Sequence, residues 1–396
     1  MSEPSTALPP LVEPAAGLTD EETLRYSRHL IIPEFGMPAQ QRLKNARVLV
    51  IGAGGLGSPA LLYLAAAGVG TLGIVDDDAV DASNLQRQII HGVSDVGSSK
   101  AESARRSIHE LNPLVHVRLH TVRLDVTNAL EIFADYDLIL DGTDNFATRY
   151  LVNDAAEILG KPYVWGSILR FDGQVSVFWG RHGPTYRDLY PEAPPAGSVP
   201  SCAEGGVLGV LCAQIGAVMV NEAVKLITGT GVTLLGRVLV LNALDMSWRE
   251  IRVRKDPAAV PVTELEADYD AFCGLPANAG SEDSREEVPA VGVRELQQLL
   301  AARTAGERDF DLLDVREPGE YAIVSIDGSV LMPRSGILSG ESLPERGRDL
   351  YVHCKSGGRS AEVAAFLISQ GYERVFNVSG GILEWVRDIE PAKTLY

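Results

Sequence analysis

The chain has 396 residues, 45% hydrophobic and 22% charged, a composition for two or three globular domains and not for a disordered chain. With 35 Lys and Arg against 53 Asp and Glu, the formal charge is −18. This argues against nucleic acid or an anionic membrane as the main partner, since both need a basic face. The four cysteines, Cys202, Cys212, Cys273 and Cys354, form no C-x-x-C pair, so neither a disulfide scaffold nor a local zinc knuckle is expected. No basic region followed by an apolar one opens the chain, and a reduced, cytoplasmic protein is expected.

Residues 1–17 are rich in Pro and Ala and are expected to be a flexible end. Thr19 then reads as an N-cap with Glu22 three residues on, a capping box. The apolar run Arg47 to Ile51 reads as a buried parallel strand ending at Gly52, followed by a helix over Gly57 to Ala67. A second strand, Thr71 to Val75, ends at Asp76; a helix over Lys100 to Leu111 and a strand over Asp137 to Leu140 follow. This alternation predicts an α/β fold with a parallel sheet. After Gly160 come shorter β runs, Pro162 to Trp165, Gln174 to Phe178 and Arg237 to Leu241, with a long buried helix over Leu208 to Ile227 before the last. The first domain, residues 18–262, is therefore expected to be Rossmann-like with a mixed sheet. Residues 263–287 carry eight acids and one Arg and read as a linker. A smaller α/β unit spans residues 288–396, with strands at Asp311 to Val315 and Leu350 to His353 and a helix at Ala361 to Gln370.

Gly52, Gly54, Gly55 and Gly57 fit G-x-G-x-x-G between strand and helix, where backbone N–H groups approach a phosphate. Alone, with Asp76 placed for a ribose hydroxyl, this pattern also suits a nicotinamide dinucleotide. The run Ser83, Asn84, Leu85, Gln86 and Arg87, then Lys100, Asp144 and Asn145, suits a triphosphate better. Arg87 and Lys100 neutralise phosphate oxygens and Asp144 holds Mg²⁺; the bland alternatives are surface charges and a helix cap.

Gly-x-Gly-Gly-x-Gly, Ser-Asn-Leu-Gln-Arg-Gln and Thr-Asp-Asn together resemble the adenylation domain shared by MoeB, ThiF and the ubiquitin-activating enzymes. The resemblance implies that these residues contact ATP or Mg²⁺. It implies a homodimer in which Arg28, within Leu24-Arg25-Tyr26-Ser27-Arg28, reaches the other subunit's ATP site. It further implies a ubiquitin-like protein as substrate, whose C-terminal Gly-Gly carboxylate attacks the α-phosphate. The family's two zinc-binding C-x-x-C pairs would fall on Thr185 to Asp188 and near Ala259 to Val262. No thiol stands there, so no zinc is expected, and Cys273 reads as a linker cysteine.

Cys202 follows a Pro/Gly-rich loop and precedes the long helix, a setting for an accessible thiol; Cys212 reads as a small hydrophobe. Cys354 opens the loop Cys354, Lys355, Ser356, Gly357, Gly358 and Arg359 between a strand and a helix. N–H groups, the helix dipole and the two cations are expected to favour a thiolate or persulfide there, although Cys-x₅-Arg is also a phosphatase pattern. Asp314 to Tyr321 and Val378 to Trp385 resemble a rhodanese domain, which implies a persulfide on Cys354, loaded from thiosulfate or a cysteine desulfurase. In that resemblance Cys202 becomes linked to the carrier or takes part in sulfur release. The order of domains resembles the fused adenylyltransferase/sulfurtransferases of the MoeZ type. Their activity would convert the Gly-Gly carboxylate of a ubiquitin-like sulfur carrier, such as one serving molybdenum cofactor synthesis, into a thiocarboxylate. The competing readings are an activating enzyme whose rhodanese domain only docks partners, and a nicotinamide oxidoreductase.

Overall fold

Strand β1 (Arg47–Ile51) buries every residue except Arg47, as an apolar run flanked on both sides by parallel neighbours must. A computed structural model describes residues 8–194, 205–273 and 288–396, and the chain divides into two units, Met1–Gly280 and Ser281–Tyr396. Unit one opens with α1 (Asp20–Arg25), α2 (Ser27–Leu30) and α3 (Gly36–Asn45). After β1 come α4 (Gly57–Ala67), β2 (Thr71–Val75), α5 (Lys100–Leu111), β3 (His116–His120), α6 (Ala129–Ala134), β4 (Leu138–Asp141) and α7 (Phe146–Leu159). Next are β5 (Tyr163–Leu169), β6 (Asp172–Phe178), α8 (Tyr186–Leu189), α9 (Gly209–Thr228), β7 (Arg237–Asn242), β8 (Ser247–Arg252) and α10 (Tyr269–Phe272).

Among the described residues these strands form one sheet in the order β3-β2-β1-β4-β5-β6-β7-β8. Pairings from β3 to β5 are parallel and those from β5 to β8 antiparallel, the mixed sheet expected. Strand order reverses between β2 and β4 on either side of β1, which opens a crevice at the carboxyl ends of those strands. Helix α9 is long and apolar enough to cross a membrane. It packs instead on α3, α4, β5 and β6 within the main core.

Two stretches depart from the expectations. Residues 8–17 are tied down: Leu11 N–H donates to Leu226 O at 3.0 Å, Ala15 N–H to Gln41 O at 3.0 Å, and Lys44 Nζ to Gly17 O at 2.9 Å. Leu8, Leu11 and Val12 pack on the core, so apolar anchors override the Pro/Ala composition. In the acidic segment, Cys273 is likewise buried, in the second core cluster of unit one; burial pushes its thiol up to about 11. The turn at Thr185 to Asp188, where the resemblance places a cysteine pair, is a capping box. There Arg187 reaches the fully buried Asp154 through Nε at 2.8 Å and Nη2 at 2.7 Å. Tyr269 donates its hydroxyl to Asp154 Oδ2 at 2.6 Å, and Tyr186 packs edge-on against Tyr150 and Trp165.

Unit two contains β9 (Ala290–Val291), α11 (Val293–Thr304), β10 (Phe310–Asp314), α12 (Pro318–Ile323), β11 (Val330–Leu331) and α13 (Arg334–Leu338). It continues with β12 (Asp349–His353), α14 (Gly358–Ser369), β13 (Val375–Val378) and α15 (Gly381–Asp388). Its all-parallel sheet has the order β11-β10-β12-β13-β9. Cores lie on both faces, and the central strands β10 and β12 end in Asp314 and His353.

Removing one partner of a buried ion pair strands the other. Asp154→Ala should therefore cost unit one about 3 kcal/mol, with a smaller loss for Asp154→Asn. Urea denaturation read by hydrogen exchange in peptides of α7 and α8 checks this.

Candidate active sites

The crevice beside β1 is a cleft of about 880 Å³, the size of a small-molecule site. Gly52, Gly54 and Gly55 line one wall, and Asp76, Asn84, Arg87, Lys100, Asp144 and Asn145 face the same space. The loop's shape follows from close packing. A Cβ on Gly57 would collide with the Gly52 carbonyl, so only glycine lets α4 start this near the strand end. Asp76 clamps the loop, accepting the Ala53 N–H at 2.8 Å and the Asp78 N–H at 2.9 Å. Burial pushes its pKa up, while those two N–H bonds oppose the shift. His91 bridges Ala53 O at 3.0 Å and Ser103 Oγ at 2.8 Å, and burial lowers its pKa.

Lys100 opens α5 and holds Asp78 Oδ2 at 2.7 Å, with the lysine buried and the aspartate mostly exposed. An entering phosphate oxygen competes with that carboxylate for the same ammonium. Arg87 donates to Ser83 O at 3.2 Å and faces the cleft. Asn145 caps α7 by accepting the Thr148 N–H at 2.8 Å, so the capping task falls to Asn145 and leaves Asp144 at the lining. A carboxylate in that position, among cations that suit a polyphosphate, fits a hard divalent cation such as Mg²⁺.

Other expected contacts lie outside the lining. Gly57 supports the loop from behind, Ser83 Oγ bonds Asp81 at 2.5 Å, and Gln86 packs its carbonyl against the start of α9 at Gly209. Leu85 also lies outside the lining, and Arg28, on α2, is not brought to the cleft within one chain. Cys202 lies outside the described residues. Cys212 is buried on α9, with its sulfur 2.9 Å from where a Cβ on Gly55 would lie. Arg149 belongs to the site without having been expected there. It is buried at the lining, donates to Thr143 O at 2.9 and 3.2 Å and to Ser167 Oγ at 3.1 Å, and lies over the Phe146 ring. Its one sequence signal is an Arg on the buried face of α7, five residues after Asp144.

The second site is the Cys354 loop between β12 and α14. Cys354 is buried, and its Sγ accepts the Gly357 N–H at 3.1 Å and the Ser360 hydroxyl at 3.4 Å. Gly357 has φ +105°, a backbone that turns the N–H inward and excludes a side chain. Each loop cation has a partner away from the sulfur. Arg359 forks onto Glu320 with two bonds of 2.8 Å, and Lys355 Nζ lies 4.6 Å above the Tyr396 ring. Burial pushes Glu320 up, but the Arg359 hydrogen bonds, a backbone N–H and Tyr396 outweigh it and hold Glu320 at about 2. Beneath the loop, His353 is fully buried beside the Asp314–Arg316 ion pair. Burial lowers its pKa to about 4 despite the Asp314 charge.

A parallel sheet with a glycine loop at its switch point, continued by antiparallel strands and facing Arg87, Lys100 and Asp144, fits an adenylating enzyme of the ThiF type. The chain belongs to the ThiF family, whose model matches residues 26–262, and a rhodanese-like domain matches residues 294–388. It is 58% identical to the probable adenylyltransferase/sulfurtransferase MoeZ of Mycobacterium tuberculosis, over 99% of this chain and all of that protein. It is 39% identical to the adenylyltransferase and sulfurtransferase MOCS3 of Drosophila grimshawi, over 96% of this chain and 87% of that one. The sulfur carrier protein adenylyltransferase of Thermus thermophilus is 51% identical over 65% of this chain and 98% of its own length. Among solved structures, E. coli MccB with MccA-N7isoASN shares the fold of 61% of this chain and 75% of that one, with TM-score 0.55 and 20% identity.

Two outcomes follow. Gly57→Ala should displace the loop and weaken nucleotide binding at least tenfold, measured by calorimetric titration with ATP. In unit two, His353 binds a proton in the unfolded chain below about pH 6.5 but in the folded chain only below about 4. Folding stability therefore falls as pH drops through that window, by about 3 kcal/mol in all. Glu320, held at about 2 instead of its ordinary 4.5, adds a loss of the same sign as pH falls below 4.5. Urea midpoints of unit two, read from its own peptides by hydrogen exchange at pH 7 and pH 5, should differ; His353→Gln should shrink the difference.

Proposed function

We propose that this enzyme adenylates the C-terminal Gly-Gly carboxylate of a ubiquitin-like sulfur carrier and replaces one carboxylate oxygen by sulfur from Cys354. The observation that carries this reading is the pairing, on one chain, of a cleft holding Arg87, Lys100 and Asp144 with a thiol cradled by the Gly357 N–H. In the first step a carboxylate oxygen attacks the α-phosphorus of ATP, the bond to the β-phosphate oxygen breaks, and pyrophosphate leaves. The glycine loop, Arg87 and Lys100 align the phosphates and offset their charge. Asp144 would hold Mg²⁺, which supplies further charge neutralisation when bound. Arg28 acts in the cleft of a second copy in a homodimer.

In the second step the terminal sulfur of a Cys354 persulfide, loaded from thiosulfate or a cysteine desulfurase, attacks the acyl carbon and AMP departs. The product is an acyl disulfide on Cys354. A thiolate, Cys202 or an external thiol, then attacks the Cys354 sulfur and releases the carrier thiocarboxylate. The disulfide left behind is reset by a dithiol reductant. The reading places the enzyme in the cytoplasm, where such reductants are kept.

The test is the intact mass of a candidate carrier after incubation with enzyme, MgATP and thiosulfate. The expected shift equals oxygen replaced by sulfur. Cys354→Ala should abolish the shift yet leave carrier-dependent pyrophosphate release. Lys100→Ala should lower pyrophosphate release by about 10²- to 10³-fold and leave thiosulfate sulfurtransferase activity near wild type. Pyrophosphate release with an unchanged sulfur product in Cys354→Ala would reduce the second unit to a docking module.

A further inference from the structure

The cleft's lining includes Asp270, a residue from the acidic segment that composition assigns to a linker. Contacts on either side of it set its position. Asp268 caps α10 by accepting the Asp270 and Ala271 N–H groups at 2.9 and 3.0 Å. Tyr269 is anchored on buried Asp154, Phe272 packs edge-on against Tyr150 at 5.1 Å, and Arg187 lies over the Phe272 ring at 4.9 Å while pairing with Glu266. With one face of α10 so fixed, Asp270 points away from the core and meets Arg123 Nη2 at 3.2 Å.

Arg123 and its neighbours Val122 and Leu124 follow β3, and all three line the cleft. In the sheet order, β3 lies beyond β2, which ends at Asp76, and β2 lies beyond β1, which ends at the glycine loop. The Arg123 end of the cleft is therefore remote from the phosphate-facing glycines, on the side a nucleoside occupies. A guanidinium offers a flat, cationic surface against which a purine base stacks. The Arg123 side chain is two-thirds exposed, so without a tether its long stem samples many rotamers. Asp270 supplies that tether.

We propose that Arg123 and Asp270 are a positioning pair for the nucleoside of ATP, so that residues 263–273 close the nucleoside end of the cleft and their docking is coupled to nucleotide binding. This rests on the adenylation reading above. By linkage, whatever the docked segment adds to nucleotide affinity, the nucleotide adds to the docking of the segment.

The test uses the full-length chain with MgATP and a carrier that supports pyrophosphate exchange. Asp270→Asn and Arg123→Gln should each raise KM for ATP about two- to fivefold, the range for an exposed ion pair, with a smaller change in kcat. The double variant should be no worse than the weaker single variant, because the two side chains act as one unit. In wild type, MgATP should slow hydrogen exchange of the amides at 269–273, and Asp270→Asn should remove most of that slowing while the unliganded segment keeps its protection. An unchanged KM in Asp270→Asn, or exchange at 269–273 that MgATP does not alter, overturns the inference and leaves the adenylation reading intact. Failure of wild type to bind any nucleotide overturns both, and is distinguished by the absence of a titration signal before any variant is made.

Discussion

The nucleotide cleft depends on one carboxylate taken out of water. Asp76 ends β2 and spends both oxygens on backbone N–H groups, one in the glycine loop after β1 and one in its own turn. That joins the ends of two adjacent strands and holds the loop open against the start of α4. Burial favours the protonated acid, which keeps only part of this accepting capacity, and the two N–H bonds oppose that shift. His91 braces the same stretch from the other side through the Ala53 carbonyl. The glycine-loop wall is therefore held by contacts made within the chain. The movable parts are the long cations, and Lys100 already has a carboxylate to exchange for a phosphate.

The Cys354 site solves a different problem with similar means. Its sulfur meets a backbone N–H and a hydroxyl, while a fork of two hydrogen bonds commits Arg359 to Glu320. The pair Arg359–Glu320 ties the first turn of α14 to α12, and Tyr396 joins both Glu320 and Arg316 to that network. The loop thus keeps its curvature through contacts made outside it.

What could be read from the residue order is what depends on near neighbours in the chain. The strand–Gly52–helix unit, the capping box at Thr19, the lysine that opens α5 and the curl of Cys354 to Arg359 all arise within a few residues, and the structure reproduces them. The misses involve distant partners. Arg123 meets Asp270 across 147 positions, and Arg359 meets Glu320 across 39; no local pattern announces either. Arg149 reads as one more charge on a helix because its partners, Thr143 O and Ser167 Oγ, come from a loop and a strand edge. Composition misleads twice, at residues 8–17 and 263–273. In both, a few apolar or aromatic anchors outweigh a majority of Pro, Ala or acidic residues, since ordering depends on what is buried and not on the average.

The docking of α10 also moves the edge of the first unit. Composition would end that unit at residue 262, yet Tyr269 is bonded to buried Asp154, Phe272 packs on Tyr150, and Asp270 lines the cleft. A chain cut at residue 262 would therefore lose part of the cleft wall, uncover the Tyr150 ring and leave Asp154 with one hydrogen bond fewer in a place water does not reach. A short aromatic helix that looks like the start of a spacer is thus the last course of masonry in the unit before it.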